Sequence, residues 1–148
     1  MPRPSAPLVE GELTSSIIGS MYDVHRELGF GFRESLYATA LERDLIAKGH
    51  RVTREIAVTV FFRGEPLGRQ MLDMVVDDRV VVEIKSTKIL HPAASSQLFG
   101  YLAATKYEVG LLLHFGQEAK AHRVLFENRF KRTKRPDITD LSIQGRSV

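Results

Sequence analysis

The stretch VVVEIKST, residues 80–87, decides how the rest of the chain is interpreted. Its run of β-branched residues predicts a strand. Because side chains on a strand alternate between two faces, Glu83 and Lys85 point to one side, while Val82 and Ile84 point to the other. A short apolar strand therefore carries a carboxylate and an ammonium group on one face, and this pairing needs a chemical explanation.

A second acidic residue lies on the strand before it. Asp73 has apolar neighbours on both sides in the sequence, where a carboxylate is costly unless it is paired or binds a metal ion. The dipeptide Asp77-Asp78 predicts a tight turn, so the two strands should pair antiparallel with Asp73 opposite or diagonal to Glu83. Two carboxylates this close repel each other unless a cation lies between them. Their oxygen atoms suit a hard divalent ion such as Mg²⁺ or Mn²⁺.

Lys85 completes the group of charged residues. It lies about 6–7 Å beyond Glu83 on the same face of the strand. There it can stabilise negative charge on a phosphate in the transition state or orient an attacking water. Asp73, Glu83 and Lys85 are thus candidate catalytic residues for metal-dependent phosphodiester hydrolysis. The alternative is an ordinary salt bridge, in which Lys85 neutralises one of the carboxylates, and the residues alone leave both explanations open.

Hydrophobic periodicity predicts the order helix, helix, three strands, helix, two strands. The predicted helices cover 12–28, 33–48 and 92–105, and the predicted strands cover 51–62, 67–76, 79–86, 107–115 and 119–126. The helix that starts at Pro92 provides a crossover long enough for strand 107–115 to return parallel to strand 79–86. The pattern therefore predicts an α/β sandwich, a central mixed sheet flanked by helices.

Composition limits the class of protein. The 148 residues contain no cysteine, which excludes disulfides, thiolate nucleophiles, cysteine-ligated zinc and iron–sulfur clusters. No apolar run approaches the length of a membrane span, and the N-terminus lacks the apolar core of a signal peptide, so we expect a cytoplasmic protein. The formal net charge of +3 is compatible with nucleic acid as a partner.

The chain divides into one domain and two flanking segments. Residues 1–11 are predicted to be a disordered lead, 12–128 a single domain and 129–148 a basic tail. The basic cluster of the tail consists of Lys131, Arg132, Lys134 and Arg135. It is either a solvated tail or an arm that binds phosphate groups.

The order of these features resembles the PD-(D/E)XK nuclease superfamily. The similarity rests on Asp73, on Glu83-Ile84-Lys85 after a hairpin, and on the helix and parallel strand that follow. The resemblance implies a restriction-endonuclease-like α/β sandwich and a Mg²⁺- or Mn²⁺-dependent nuclease, with DNA as the expected substrate. It also implies the backbone carbonyl of Ile84 as a further metal ligand. Many members act as dimers, so a homodimer is compatible with it.

The segment GFRESLY, residues 31–37, resembles the signature of the narrower GxxExxY family. Gly31, Glu34 and Tyr37 stand at the named positions. The resemblance implies that Glu34, near the start of the second helix, completes the metal site. The alternative role for Glu34 is a favourable interaction with the helix dipole.

A further resemblance concerns the helix after the E-x-K strand. Gln97 and Tyr101 lie one helical turn apart and match a Q-x-x-x-Y pattern of related nucleases, which implies that Gln97 borders the active site and contacts water or a phosphate. The alternative is an exposed glutamine and a core tyrosine. For the whole protein, the rival to a nuclease is a catalytically inactive nuclease-fold module that binds nucleic acid or a protein partner.

Overall fold

The computed structural model describes residues 8–131 and the backbone of residues 144–145. Three helices, six strands and one short 3-10 helix are found in these residues. The helices are α1 (Gly11–Leu28), α2 (Glu34–Ala47) and α3 (Ala94–Ala103), and the 3-10 helix is Asn128–Phe130. The strands are β1 (Val52–Phe62), β2 (Glu65–Val76), β3 (Val80–Lys85), β4 (Val109–Phe115), β5 (Ala119–Leu125) and β6 (Gln144–Gly145).

The strands form one mixed sheet in the order β5-β4-β3-β2-β1-β6. Only β3 and β4 pair in parallel, and α3 makes the crossover between them. The other neighbours are antiparallel. The predicted α/β sandwich is confirmed, and it has the restriction-endonuclease-like arrangement. None of the helices in the described residues is both long and apolar enough to cross a membrane.

Helices cover both faces of the sheet. The apolar stripes of α1 and α2, including Ile17, Met21 and Tyr37, pack against one face. Leu98 and Leu102 of α3 pack against the other face. All seven residues of β4 are buried, as expected for a strand enclosed on both sides. Two apolar layers therefore hold the sheet, and the end of β3 lies between them.

Several element boundaries differ from the prediction, and the largest differences, of two residues, are at the starts of β2 and β4 and at both ends of α3. β2 begins at Glu65 because this residue still pairs with Phe62 across the hairpin. α3 begins two residues after Pro92, because the Ala94 N–H donates to the His91 carbonyl and closes a turn first. The 3-10 helix and β6 were not predicted, since neither carries a hydrophobic pattern of its own.

The flanking segments are described only in part. Residues 1–7 of the predicted lead lie outside the described residues, as do Arg132, Lys134 and Arg135 of the tail. Lys131 is described, and its ammonium group donates to the carbonyls of Thr105 and Tyr107 at 2.9 and 2.8 Å. These hydrogen bonds hold Lys131 against the end of the domain. The phosphate-binding arm stays a prediction, because the other three residues of the cluster lie outside the described residues.

Candidate active site

Asp73 and Glu83 meet where the ladder between β2 and β3 ends. Val76 pairs with Val80, and Met74 with Val82 is the last regular pair. Beyond this pair, side-chain carboxylates accept the hydrogen bonds of the backbone N–H groups. The Ile84 N–H donates to Asp73 Oδ2 at 2.8 Å, and the Asp73 N–H donates to Glu83 Oε1 at 3.3 Å. Each carboxylate is thus held by a backbone group beside the other one, which confirms the predicted proximity.

This carboxylate pair is expensive to ionise. Glu83 is only 6% exposed, and burial, followed by the charge of Asp73, raises its pKa to about 8. Burial also raises the pKa of Asp73, although the hydrogen bond from the Ile84 N–H and the charge of Lys85 act in the opposite direction. Two adjacent acids with raised pKa values share protons readily, and a divalent cation between them would allow both to ionise.

Strand β2 reverses its two faces beside Asp73. Met74 packs against α1 and α2, whereas Leu72 packs in the cluster under α3. A regular strand would place residues two apart on the same face. Glu55 lies opposite Asp73 between two regular pairs, and its φ of 52° is left-handed, which costs about 1–3 kcal/mol for a residue other than glycine. The reversal aims the Asp73 side chain into the gap between β2 and β3.

Lys85 is at the end of β3, on the face that it shares with Glu83. Its charge lowers the pKa of both Asp73 and Glu83. Among the described residues, however, neither carboxylate makes an ion pair with it within 4.0 Å. Lys85 pairs in register with His114, whose Nε2–H donates to the Thr87 carbonyl at 2.6 Å and fixes the chain after β3. A direct salt bridge therefore does not explain the E-x-K pattern.

Glu34 is the first residue of α2 and is exposed. It lines a cavity of about 550 Å³, which we call the α2 cavity; the wall also includes Asp73, Ile84, Arg54 and Glu55. Its charge contributes to the raised pKa of Glu83. The structure thus brings Glu34 to the carboxylate pair.

The GxxExxY positions shape the loop that leads into α2. Gly31 has a φ of 115°, a left-handed conformation that favours glycine. The buried Tyr37 hydroxyl donates to the Gly29 carbonyl at 2.6 Å and accepts from the Phe32 N–H at 3.3 Å. Tyr37 therefore holds the loop against the helix, which fixes the position of Glu34.

Gln97 lies on the other side of the sheet from the α2 cavity. It is exposed, and with Tyr101 it lines a separate pocket of about 240 Å³ between α3, β1 and β2, which we call the α3 groove. Burial, and then the charges of Glu83 and Asp73, raise the pKa of Tyr101. Tyr101 therefore lies within electrostatic reach of the pair, and Gln97 is one helical turn away from it.

The oxygen atoms at this site fit a hard divalent cation in chemical type. Asp73 and Glu83 supply two carboxylates whose pKa values are raised mainly by burial, so a cation bound between them would stabilise their charged forms. Residues 8–131 contain no group of three His, Asp or Glu side chains already arranged to hold a metal ion. The pair is thus the preformed part of the site, and Glu34 lines the wall of the α2 cavity together with Asp73.

Sequence reasoning missed two residues of the α2 cavity. Glu55 contributes to the raised pKa of Asp73. Arg54 has a buried Nε with no hydrogen-bonding partner among the described residues, and its Nη1 reaches Glu42 only at 3.4 Å. Alternation in β1 could have marked Arg54 as inward-facing, but no glycine or proline signals the left-handed Glu55.

Comparisons with known proteins agree with this geometry. A sequence profile of the PD-(D/E)XK nuclease superfamily matches residues 11–126. A search among curated proteins gave no significant match. The crystal structure of SSO0001 has a similar fold, with a TM-score of 0.50 and 18% identity over 90% of this chain. The chain spans 64% of the length of SSO0001, and at this identity the similarity supports the fold alone.

Proposed function

The chain belongs to the PD-(D/E)XK nuclease superfamily, and from this premise we propose that it is a divalent-metal-dependent nuclease that hydrolyses phosphodiester bonds in DNA. The observation that carries the proposal is the Asp73–Glu83 pair. Glu83 is buried and Asp73 is half-buried, backbone N–H groups join the two carboxylates, and the pKa of each is raised. A divalent ion held by such a pair lowers the pKa of a bound water and polarises a phosphoryl oxygen.

Four residues are proposed to hold the ion. Asp73 and Glu83 supply the carboxylates, and the Ile84 carbonyl follows directly in the chain. Glu34 approaches from the N-terminus of α2. Mg²⁺ and Mn²⁺ are the expected ions, because every proposed donor is an oxygen atom.

Lys85 and Gln97 are proposed to act on the substrate. In hydrolysis, the water oxygen forms a bond to phosphorus, the bond between phosphorus and the leaving sugar oxygen breaks, and that oxygen takes up a proton. Negative charge builds up on the phosphate meanwhile, and the Lys85 ammonium is placed on the Glu83 face to stabilise it. Gln97, on the adjoining helix, is proposed to position the strand or a water molecule.

The narrower assignment to the GxxExxY family is also a proposal. It is supported by the structural roles of Gly31 and Tyr37, which together fix the loop before Glu34. Each of the three signature residues thus contributes to placing one carboxylate at the α2 cavity.

The test is cleavage of plasmid and of labelled single- and double-stranded DNA by the purified full chain with Mg²⁺ or Mn²⁺. Asp73→Ala and Lys85→Ala should each reduce the rate by at least about 10³-fold, because each removes an electrostatic contribution to the transition state. Lys88→Ala, an exposed lysine just beyond β3, is the matched control and should cleave as the wild type does. Unchanged cleavage by both site variants would refute the assignment.

The second candidate is an inactive nuclease-fold module that binds nucleic acid or a protein. It is favoured by the lack of a preassembled three-ligand group in residues 8–131. Such a module would bind DNA without cleaving it, and its binding would respond neither to Mn²⁺ nor to Asp73→Ala. The same set of proteins therefore separates the two candidates.

A further inference from the structure

The α3 groove has the size of a site for one small planar molecule. Its volume of about 240 Å³ far exceeds the roughly 30 Å³ share of one water, but lies below the range of about 300–1,000 Å³ for pockets that hold drug-sized ligands. The floor is formed by Val58, Val60 and Leu72 of the adjacent strands β1 and β2. A flat apolar floor of this kind fits the face of a heterocyclic ring.

The rim of the groove is polar and free to bind. Gln70 and Gln97 carry amide groups that make no hydrogen bond within the described part of the chain, and the same holds for the Tyr101 hydroxyl. An amide offers both a donor and an acceptor, which matches the edge of a nucleobase, and a tyrosine ring offers a surface for stacking. The groove thus combines an apolar floor, an aromatic ring and two amides.

The groove adjoins the carboxylate pair. Leu72 of the floor directly precedes Asp73 in β2. Glu83 and Lys85 point towards the α3 side, because they alternate with Val82 and Ile84, which pack under α1 and α2. The charges of the pair also reach Tyr101. A DNA strand with a phosphate at the pair therefore has the groove beside it.

We propose that the α3 groove binds one unstacked nucleobase of the substrate strand, next to the phosphate that is cleaved. This inference rests on the proposed nuclease function and specifies its substrate. A base in an intact duplex must leave the stack to enter such a pocket, whereas a base in a single strand, a frayed end or a flap is already available. The chain should therefore prefer DNA with unpaired bases.

The experiment measures binding of a short fluorescent oligothymidylate to the full chain, with Ca²⁺ replacing Mg²⁺ to slow cleavage. Tyr101→Ala should weaken binding about tenfold, the typical loss for one stacked base. Tyr101→Phe keeps the stacking ring and should therefore lose less binding than Tyr101→Ala does. Gln70→Ala, an exposed residue whose loss leaves the core intact, should weaken binding as well. Tyr22→Ala, on α1 beyond the opposite face of the sheet, is the matched control and should have no effect.

A set of oligothymidylates with one abasic site, moved along the strand, tests for the base itself. At one position the missing base should weaken binding to the wild type by a similar factor and cause no further loss in Tyr101→Ala. Equal losses in both proteins at every position, or wild-type binding by Tyr101→Ala and Gln70→Ala, would overturn the base pocket while leaving the nuclease proposal intact. If the wild type neither binds nor cleaves any DNA, both proposals fail.

Discussion

The hairpin of β2 and β3 carries acidic residues at both ends of its ladder, and the two ends differ in their partners. At the turn, Asp77 accepts hydrogen bonds from the His50 ring and the Arg51 N–H, and Asp78 accepts one from the Tyr107 hydroxyl. The hydrogen bond from Tyr107 lowers the pKa of Asp78. The pKa of Asp77 is also lowered, because its hydrogen bonds outweigh the effect of burial. The turn carboxylates are stabilised in their charged form by the protein.

At the open end, the hydrogen bonds that Asp73 and Glu83 accept within the described residues come from backbone N–H groups, and the pKa of each carboxylate is raised. Carboxylates a few positions apart on one hairpin are therefore in opposite electrostatic states. Carboxylates with cationic and hydrogen-bonding partners from the protein stabilise the fold. A buried and a half-buried carboxylate without a protein cation within 4.0 Å in the described residues have the chemistry of a site for an external cation.

The largest expected difference between the two ends is in catalysis. Glu83→Gln should reduce metal-dependent DNA cleavage by at least about 10³-fold, because it removes a ligand and a charge from the site. Asp78→Asn, at the turn, should leave the rate close to that of the wild type. Initial rates on one labelled DNA substrate compare them, and an equal loss in both variants would show that the two ends do not differ in function.

The next difference is in the pH dependence of stability. Because the pKa of Glu83 rises from 4.5 to about 8 on folding, the unfolded chain releases this proton at a pH where the folded protein retains it. Without metal, the free energy of unfolding should fall as pH increases between these values, by at most about 1.4 kcal/mol per pH unit from this group. Because the pKa values of the turn aspartates are lowered, these residues change the free energy of unfolding only at pH values below the ordinary pKa range of aspartate. They therefore do not mask this slope.

Urea denaturation at a series of pH values in EDTA measures this effect. The difference in stability between Glu83→Gln and the wild type should grow in favour of the variant as pH rises towards 8. A difference that is independent of pH would mean that Glu83 is not protonated in the folded protein.

Substitutions that remove charge should have opposite effects on stability at the two ends. Asp77→Ala should destabilise the protein by about 2 kcal/mol, because the Arg51 N–H and the His50 ring lose their acceptor. Asp73→Asn in metal-free buffer should be neutral or stabilising, since it keeps an acceptor for the Ile84 N–H and relieves repulsion from Glu83. Chemical denaturation at pH 8 checks both, and a larger loss in Asp73→Asn would contradict the comparison.

The smallest expected effect concerns a cation in the wall of the α2 cavity. Arg54 lines the α2 cavity, its charge lowers the pKa of Asp73, and its Nε is buried without a partner in the described residues. The positive charge of the Arg54 guanidinium would attract a substrate phosphate in the α2 cavity, so Arg54→Gln should weaken DNA binding about tenfold. Arg26→Gln, in an exposed ion pair with Asp23, is the control. Equal affinities of the two variants would show that Arg54 does not contribute to DNA binding.

Local patterns predicted much of this hairpin. The turn at Asp77-Asp78 and the proximity of Asp73 to Glu83 both follow from alternation and counting along two short strands. The parallel pairing of β3 with β4 follows from the length of the crossover between them. Such features depend on residues close together in the chain, which one sequence contains in full.

The remaining features depend on distant contacts. No residue near Glu55 in the sequence indicates a left-handed conformation in the middle of a strand. The conformation occurs where β2, the strand paired with β1, reverses its faces. Lys131 looks like part of a basic tail but is held by carbonyls about 25 positions earlier. The partners that separate Asp77 from Asp73 likewise come from distant segments, so composition alone cannot tell a structural aspartate from a functional one.

Calorimetric titration of Mn²⁺ into the wild type, Asp73→Ala and Asp78→Asn, with a non-cleavable phosphorothioate oligonucleotide present, tests the central claim most directly. The carboxylate pair at the open end of the hairpin should bind the ion. The wild type and Asp78→Asn should therefore bind Mn²⁺ with the same affinity, and Asp73→Ala should not bind it. Identical titrations of Asp73→Ala and the wild type, or no binding by the wild type, would contradict the assignment of Asp73 and Glu83 as a metal site.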